Sequence, residues 1–302
     1  MLCGFCCSLV TMLICAQPTA PDIRSVAPDL VVPPMEEGRP APGKRVRQVI
    51  PEYRSTDVYH AIYLPTDWRP EGRYPVLVEY AGNGPYKNRY GDISTGLVEG
   101  SKLGYGISAG KGFIWVCLPY LDNTGKTNVI KWWGNGPEYR VGPTLDYCKK
   151  AVPWICKQYG GDPEAVILTG FSRGAIACNF VGLHDDEIAR LWRAFVVYSH
   201  YDGVVETWGY PGADRQAALE RLKRLGNRPQ LICQEWTPNP RVSVAATADY
   251  LEATGVDGEF TFMETGFCNH NDAWTLRPSP ARAALRQWLE RLDINPKRKR
   301  GE

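Results

Sequence analysis

Ser172 is the residue of this chain whose sequence context most strongly indicates a nucleophile. It stands in Gly170-Phe171-Ser172-Arg173-Gly174, directly after the apolar run 165–169 and before a stretch of small residues. This order predicts a strand, a sharp turn and a helix, with the serine at the turn. The two glycines suit such a turn, because a Cβ at either position would crowd the strand or the helix. A plain glycine turn without a chemical role is the alternative.

A serine hydroxyl is a weak nucleophile and needs a base. His270 lies after the last predicted strand, 259–264, and before the last predicted helix, 279–292. Where a serine follows a strand in this way, the usual chain order is serine, acid, histidine, and His270 alone among the four histidines fits the last place. We therefore expect His270 to take the proton of Ser172. A loop histidine bonded only to backbone is the alternative.

Two carboxylates compete for the role of the acid. Asp202 follows the predicted strand 193–199, and Glu235 comes directly after the predicted strand 229–234. Catalytic groups gather at the carboxyl ends of parallel strands. We favour Asp202, because Glu235 follows its strand very closely. Either carboxylate would hold the imidazole in the required tautomer and stabilise its cation.

An oxyanion formed at Ser172 needs backbone N–H donors. The first candidate is the N–H of Arg173, which directly follows the serine. The second is the N–H of Asn83, in the glycine-rich turn Ala81-Gly82-Asn83-Gly84 after the predicted strand 74–80. Glycines in that turn would let the backbone approach a substrate closely.

Aromatic side chains in loops are the candidates for contact with substrate. The chain has ten tryptophans and sixteen tyrosines, and several of them fall between predicted elements. Trp133, Trp236 and Trp274 are selected because exposed rings stack on sugars or aryl groups. Packing of these rings onto the core is an equally good interpretation of each one.

The candidate residues need a scaffold in which strands and helices alternate. Two short runs, 47–50 and 58–64, predict a pair of antiparallel opening strands. The alternation that follows predicts a mostly parallel central sheet with helices on both faces. The remaining predicted strands are 74–80, 112–118, 165–169, 193–199, 229–234 and 259–264, and the main predicted helices are 144–159, 215–225, 242–254 and 279–292.

The chain divides into a leader, a linker, one domain and a tail. Residues 1–16 carry no charge and predict a signal peptide. Residues 17–45 are rich in proline and predict an extended, poorly ordered linker. Residues 46–293 form the predicted domain, and 294–302 a basic, solvated tail. A secreted or periplasmic protein is expected, with no membrane contact beyond the export signal.

The overall charge excludes some partners. The chain has 35 basic and 33 acidic residues, a formal net charge of +2. That balance provides no long-range field for nucleic acid or an anionic membrane. The six cysteines beyond the leader show no zinc-like spacing, so no metal site is expected.

Taken together, the chain resembles the α/β-hydrolase superfamily, in particular esterases related to polyhydroxybutyrate depolymerases and feruloyl or acetylxylan esterases. The resemblance rests on residues 169–175, the 81–84 turn and the His270 loop, and spans roughly residues 45–293. The usual Gly-x-x-Asp after the penultimate strand is missing, which leaves the acid open.

The resemblance implies the α/β-hydrolase fold. It also implies hydrolysis of a carboxylic ester through an acyl-enzyme, without metal or organic cofactor, on a small-molecule or polysaccharide-linked ester. A serine peptidase on the same fold and a non-catalytic, glycan-binding protein are the alternatives.

Overall fold

The structure, a computed structural model, describes residues 20–294 and the backbone of Met12–Leu13. The predicted signal peptide and the basic tail lie outside these residues, apart from Met12–Leu13 and Ile294. The strands are β1 (Met12–Leu13), β2 (Met35–Glu36), β3 (Arg45–Gln48), β4 (His60–Tyr63), β5 (Tyr74–Tyr80), β6 (Tyr86–Lys87), β7 (Ile93–Ser94), β8 (Ile114–Leu118), β9 (Tyr120–Leu121), β10 (Asn128–Val129), β11 (Gly161–Phe171), β12 (Ala194–Tyr198), β13 (Gln230–Gln234) and β14 (Phe260–Glu264). The α-helices are α1 (Leu103–Ser108), α2 (Gly142–Tyr159), α3 (Arg173–Phe180), α4 (Asp186–Ala189), α5 (Arg215–Leu222), α6 (Val244–Thr254) and α7 (Pro280–Arg291).

The central sheet has the strand order β1-β14-β13-β12-β11-β5-β8-β4-β3-β2. From β14 to β8 neighbouring strands are parallel, whereas β4 is antiparallel to both β8 and β3. The predicted mostly parallel sheet and its antiparallel opening pair are therefore confirmed. The carboxyl ends of β5, β11, β12, β13 and β14 meet at one edge, where the loops with the candidate residues begin.

Apolar side chains alternate between the two faces of the sheet. On β5, Val76 and Val78 pack into one core with α2 and α3, whereas Leu77 packs into a second core with α1 and α7. Because both faces are covered by helices, the strands are apolar on both sides, as their continuous hydrophobic runs predict.

The turn between β11 and α3 brings backbone segments into close contact. Ser172 occupies the turn with φ 56° and ψ −113°. A Cβ on Gly170 would lie 2.1 Å from the carbonyl oxygen of Gly174, and a Cβ on Gly174 would lie 1.8 Å from that of Tyr80. Both glycines are therefore required by close backbone contact, as the motif predicts.

The prediction of a poorly ordered linker is wrong for residues 20–45. Pro21 accepts a hydrogen bond from the N–H of Cys268, and the N–H of Ile23 donates to Asn269 Oδ1 at 2.6 Å. Asp29 pairs with Arg282 of α7, and β2 pairs with β3. Prolines remove N–H donors but leave every carbonyl free to accept, so an extended segment can still be bound along its length.

The contact at Gly174 yields a stability prediction. Gly174→Ala places a methyl group against backbone that cannot move aside, so the free energy of unfolding in urea should fall by about 3 kcal/mol or more. Gly142→Ala is the matched control, because nothing lies within 4 Å of its added Cβ. An unchanged free energy of unfolding for Gly174→Ala would contradict this contact.

Candidate active site

Ser172 lines a cavity of about 320 Å³ at the carboxyl edge of the sheet. The other predicted site residues that line it are Arg173, Asn83, His270 and Glu235. A second cavity, of about 390 Å³, is lined by Tyr74 at the start of β5 and by residues of α1 and α7, and holds none of the candidate residues. The chemistry that the sequence predicts thus converges on the first cavity.

His270 is held by Glu235. The Nδ1 atom of His270 lies 2.7 Å from Glu235 Oε1. Glu235 is buried, and burial acts to raise its pKa, but the electrostatic attraction to the His270 ring and the hydrogen bond to it outweigh burial and hold the pKa below its ordinary value. The carboxylate is therefore charged at neutral pH and faces the imidazole. With Nδ1 engaged by the carboxylate, Nε2 is the nitrogen left to accept a proton.

The prediction that Asp202 orients His270 is wrong. Asp202 is buried and paired with Arg221 of α5, whose Nε lies 2.7 Å from Asp202 Oδ2 and whose Nη2 lies 3.1 Å from Oδ1. A buried carboxylate requires a cation or several donors. The guanidinium supplies both, so Asp202 is a structural partner of α5. Glu235, the other carboxylate predicted from the sequence, is the one that contacts His270.

Ser199 is a site residue that sequence reasoning missed. Its Oγ donates to Glu235 Oε1 at 3.0 Å and lies 2.8 Å from Nδ1 of His270. It is buried and has a φ of 93°, which few residues other than glycine adopt. The signal in the sequence that could have identified Ser199 is its position at the carboxyl end of a predicted strand, next to the loop that holds Asp202.

The His270 loop is fixed on both sides of the histidine. The side-chain amides of Asn269 and Asn271 both donate to Asp92 Oδ1, at 3.0 and 3.1 Å. The hydroxyl of Tyr198 donates to the carbonyl of Asn269 at 3.0 Å and accepts from the N–H of Asn271 at 3.2 Å. Because its neighbours are bound on two sides, the imidazole has little freedom to leave Glu235.

The turn after β5 also contributes to the cavity lining, through Asn83. Asn83 accepts the backbone N–H of Trp132 on its side-chain oxygen at 2.9 Å. Arg173 begins α3, so its N–H belongs to the positive end of that helix. Both residues predicted to stabilise an oxyanion therefore lie on the cavity wall.

The tryptophans selected from the sequence do not line the cavity. Trp133 is fully buried and stacks on Phe180 with ring centroids 4.0 Å apart, and Trp274 is fully buried against Tyr198. Trp236 is partly exposed outside the cavity lining. The prediction that Trp133 and Trp274 contact substrate is wrong, because large rings near a core are more stable inside it.

Aromatic residues other than the three predicted tryptophans line the cavity. Trp132, Trp208 and Tyr86 line the cavity together with His200. The rings of Trp132 and Trp208 are 5.6 Å apart, and the His200 ring lies 5.4 Å from that of His270. Burial, with a contribution from His270, lowers the pKa of His200 to about 4. Its imidazole is therefore neutral at physiological pH.

Between residues 20 and 294, no group of three or more His, Cys, Asp or Glu side chains is arranged to hold a metal ion. In the same part of the chain, none of the helices combines the length and the apolar character needed to span a bilayer.

Comparisons with known proteins bear on the fold. The chain matches no protein-family model, and its sequence matches no curated protein. Among solved structures, it is similar to an S-formylglutathione hydrolase from Agrobacterium tumefaciens, with a TM-score of 0.57 and 12% identity over 86% of this chain and 98% of that one. It is also similar to esterase 2 of Thermogutta terrifontis, with a TM-score of 0.54 and 15% identity over 84% of this chain and 96% of that one.

A third similar structure is dipeptidyl peptidase 4 of Porphyromonas gingivalis, with a TM-score of 0.54 and 16% identity over 84% of this chain. The chain spans only 36% of that peptidase. The sheet order, the turn at Ser172 and these similarities together show that this protein has the α/β-hydrolase fold.

Proposed function

We propose that this protein is a serine hydrolase that cleaves carboxylic esters through an acyl-enzyme. The observation that carries the proposal is the 2.7 Å contact between His270 Nδ1 and Glu235 Oε1, in a cavity that Ser172 also lines. A buried carboxylate on one nitrogen of a histidine, with a serine on a strained turn nearby, is the arrangement that activates a serine hydroxyl.

The proposed reaction has two halves. Ser172 Oγ attacks the ester carbonyl while His270 Nε2 takes the hydroxyl proton, and that proton then leaves with the alcohol as the ester C–O bond breaks. Water then attacks the acyl carbonyl while His270 Nε2 takes a water proton. The bond between the acyl group and Ser172 Oγ breaks, His270 returns the proton to Ser172 Oγ, and the carboxylic acid is released. Glu235 stabilises the imidazolium in both halves, and the N–H groups of Arg173 and Asn83 stabilise the oxyanion.

A polysaccharide-linked ester is the substrate class that we propose. The support is the cavity lining, which combines the rings of Trp132, Trp208 and Tyr86 with the neutral imidazole of His200. Aromatic faces stack on sugar rings, and a neutral imidazole can donate to and accept from hydroxyl groups. The proposal that the protein is secreted or periplasmic rests on the sequence of residues 1–16 alone.

A labelling experiment tests the esterase proposal. The purified protein should react with a fluorophosphonate probe and hydrolyse p-nitrophenyl acetate, and Ser172→Ala should lose about 10⁶-fold in kcat because the nucleophile is gone. Esterase 2 of T. terrifontis is phosphorylated by paraoxon, which recommends this class of reagent. A protein that neither reacts nor hydrolyses any ester would contradict the proposal and favour glycan binding without catalysis. Turnover of dipeptide amides in preference to esters would favour a peptidase.

The identity of the acid gives a second prediction. Glu235→Gln should lower kcat by about 10⁴-fold, because an amide cannot stabilise the imidazolium and favours the wrong tautomer. Asp202→Asn is the matched control: it weakens the buried pair with Arg221 and lowers the melting temperature, but the folded fraction should keep its kcat. A normal kcat in Glu235→Gln would contradict the assignment of Glu235 as the acid that supports His270.

Ser199 gives a third prediction. Ser199→Ala removes a hydrogen bond to the Glu235 carboxylate, worth about 1.5 kcal/mol, and should lower kcat about tenfold with little change in KM. Ser108→Ala is the control, since Ser108 Oγ donates to a carbonyl on α1, away from the cavity. Equal kcat values for the two variants would show that Ser199 does not act through Glu235.

A further inference from the structure

The side chain of Arg173 makes contacts that a backbone donor does not need. The guanidinium is buried and donates to the carbonyls of Trp132 at 2.7 Å, Gly82 at 2.9 Å, Gly96 at 3.2 Å and Ala81 at 3.4 Å. It also lies 3.8 Å from the centroid of the Tyr120 ring. One side chain thus binds carbonyls from three separate stretches of chain.

Those stretches, 81–84, 94–96 and 130–132, form what we call the three-segment wall. Each of them places one residue on the cavity, namely Asn83, Ser94 and Trp132. They touch one another through backbone, because the N–H of Gly84 donates to Ile130 O at 2.8 Å and a Cβ on Gly84 would lie 2.0 Å from the carbonyl carbon of Thr95. Because the segments approach so closely at Gly84, their carbonyls converge and need a donor.

Among the described residues, the guanidinium is also a charge without a carboxylate partner. Between residues 20 and 294, Arg173 forms no salt bridge, and carbonyl oxygens together with the Tyr120 ring surround it. A buried cation is retained only when several strong contacts replace its water. The planar fork of arginine can serve several carbonyls at once, which a lysine ammonium does less well.

We propose that Arg173 is a positioning residue: the hydrogen bonds of its guanidinium fix the oxyanion site by holding the three-segment wall against the serine turn. This inference rests on the proposed function. Arg173 supplies one oxyanion N–H from its backbone, and its side chain holds the turn that carries the other, at Asn83. Both donors are therefore set relative to Ser172 by a single residue.

The test compares three variants for kcat, KM, fluorophosphonate labelling rate and melting temperature. Arg173→Met removes every polar contact of the fork, and Arg173→Lys keeps the charge but not the fork. Arg45→Met is the matched control, because Arg45 is also buried, donates to the carbonyls of Val98 and Ser101, and lies over the Trp115 ring at 4.5 Å, yet does not line the cavity.

We expect Arg173→Met to lose about 100-fold in kcat, the typical effect of a displaced oxyanion donor, while KM changes little. Arg173→Lys should lose about tenfold, since one or two carbonyl contacts survive. Affinity for a boronic acid, which forms a tetrahedral adduct on the serine, should fall in parallel with kcat/KM. Arg45→Met should lower the melting temperature without lowering the kcat of the folded fraction.

The inference and the proposed function fail in different ways. A wild-type protein without labelling or turnover would overturn the proposed function. An active wild-type protein whose folded Arg173→Met variant keeps its kcat and its boronic acid affinity would overturn the inference alone. Should Arg173→Met fail to fold, Arg173→Lys decides: a kcat equal to that of wild type overturns the inference, and a selective loss of kcat supports it.

Discussion

The contact between helix α3 and strand β5 is the constraint on which the rest of the site depends. Gly174 brings the two backbones so close that a single methyl group would lie 1.8 Å from the Tyr80 carbonyl oxygen. This closeness forces Ser172 into a turn with positive φ, a strain of about 1–3 kcal/mol. The whole of α3 is buried between its neighbours, and that burial offsets the strain. The serine faces the cavity because close backbone contacts fix the elements on either side of it.

Two buried charges lie among the cavity residues, and neither is paired with the other. The Glu235 carboxylate is held by His270 and by the Ser199 hydroxyl, whereas the Arg173 guanidinium is held by carbonyl oxygens. In the proposed reaction, positive charge forms on the imidazole and negative charge forms on the oxyanion. In that reaction, a fixed carboxylate beside the imidazole and a fixed guanidinium bound to the segment that carries Asn83 would lower the cost of separating the charges, because neither has to reorganise.

Packing outside the sheet was the hardest feature to predict. The many prolines of residues 17–45 mean that N–H donors are missing there, which favoured a prediction of disorder. Residues 20–45 nevertheless bind to the rest of the domain through carbonyls and through Asp29. Trp132 and Trp133 are adjacent and chemically identical, yet one lines the cavity and the other stacks on Phe180. A loop has no fixed periodicity, so composition does not tell which of two neighbouring rings faces inward.

The sequence by itself determined the alternation of strands and helices, the turn at Ser172 and the place of His270 after the last strand. These follow from local patterns, namely apolar periodicity, glycines that only a close contact requires, and chain order. Only the tertiary structure decided which carboxylate supports the histidine. Asp202 and Glu235 both follow parallel strands and reach the same edge of the sheet, so their sequence contexts were nearly equivalent. Arg221 on α5 engages the first of them, and the second alone lies within hydrogen-bond distance of His270, because side-chain direction at a strand end is set by the elements that pack against it.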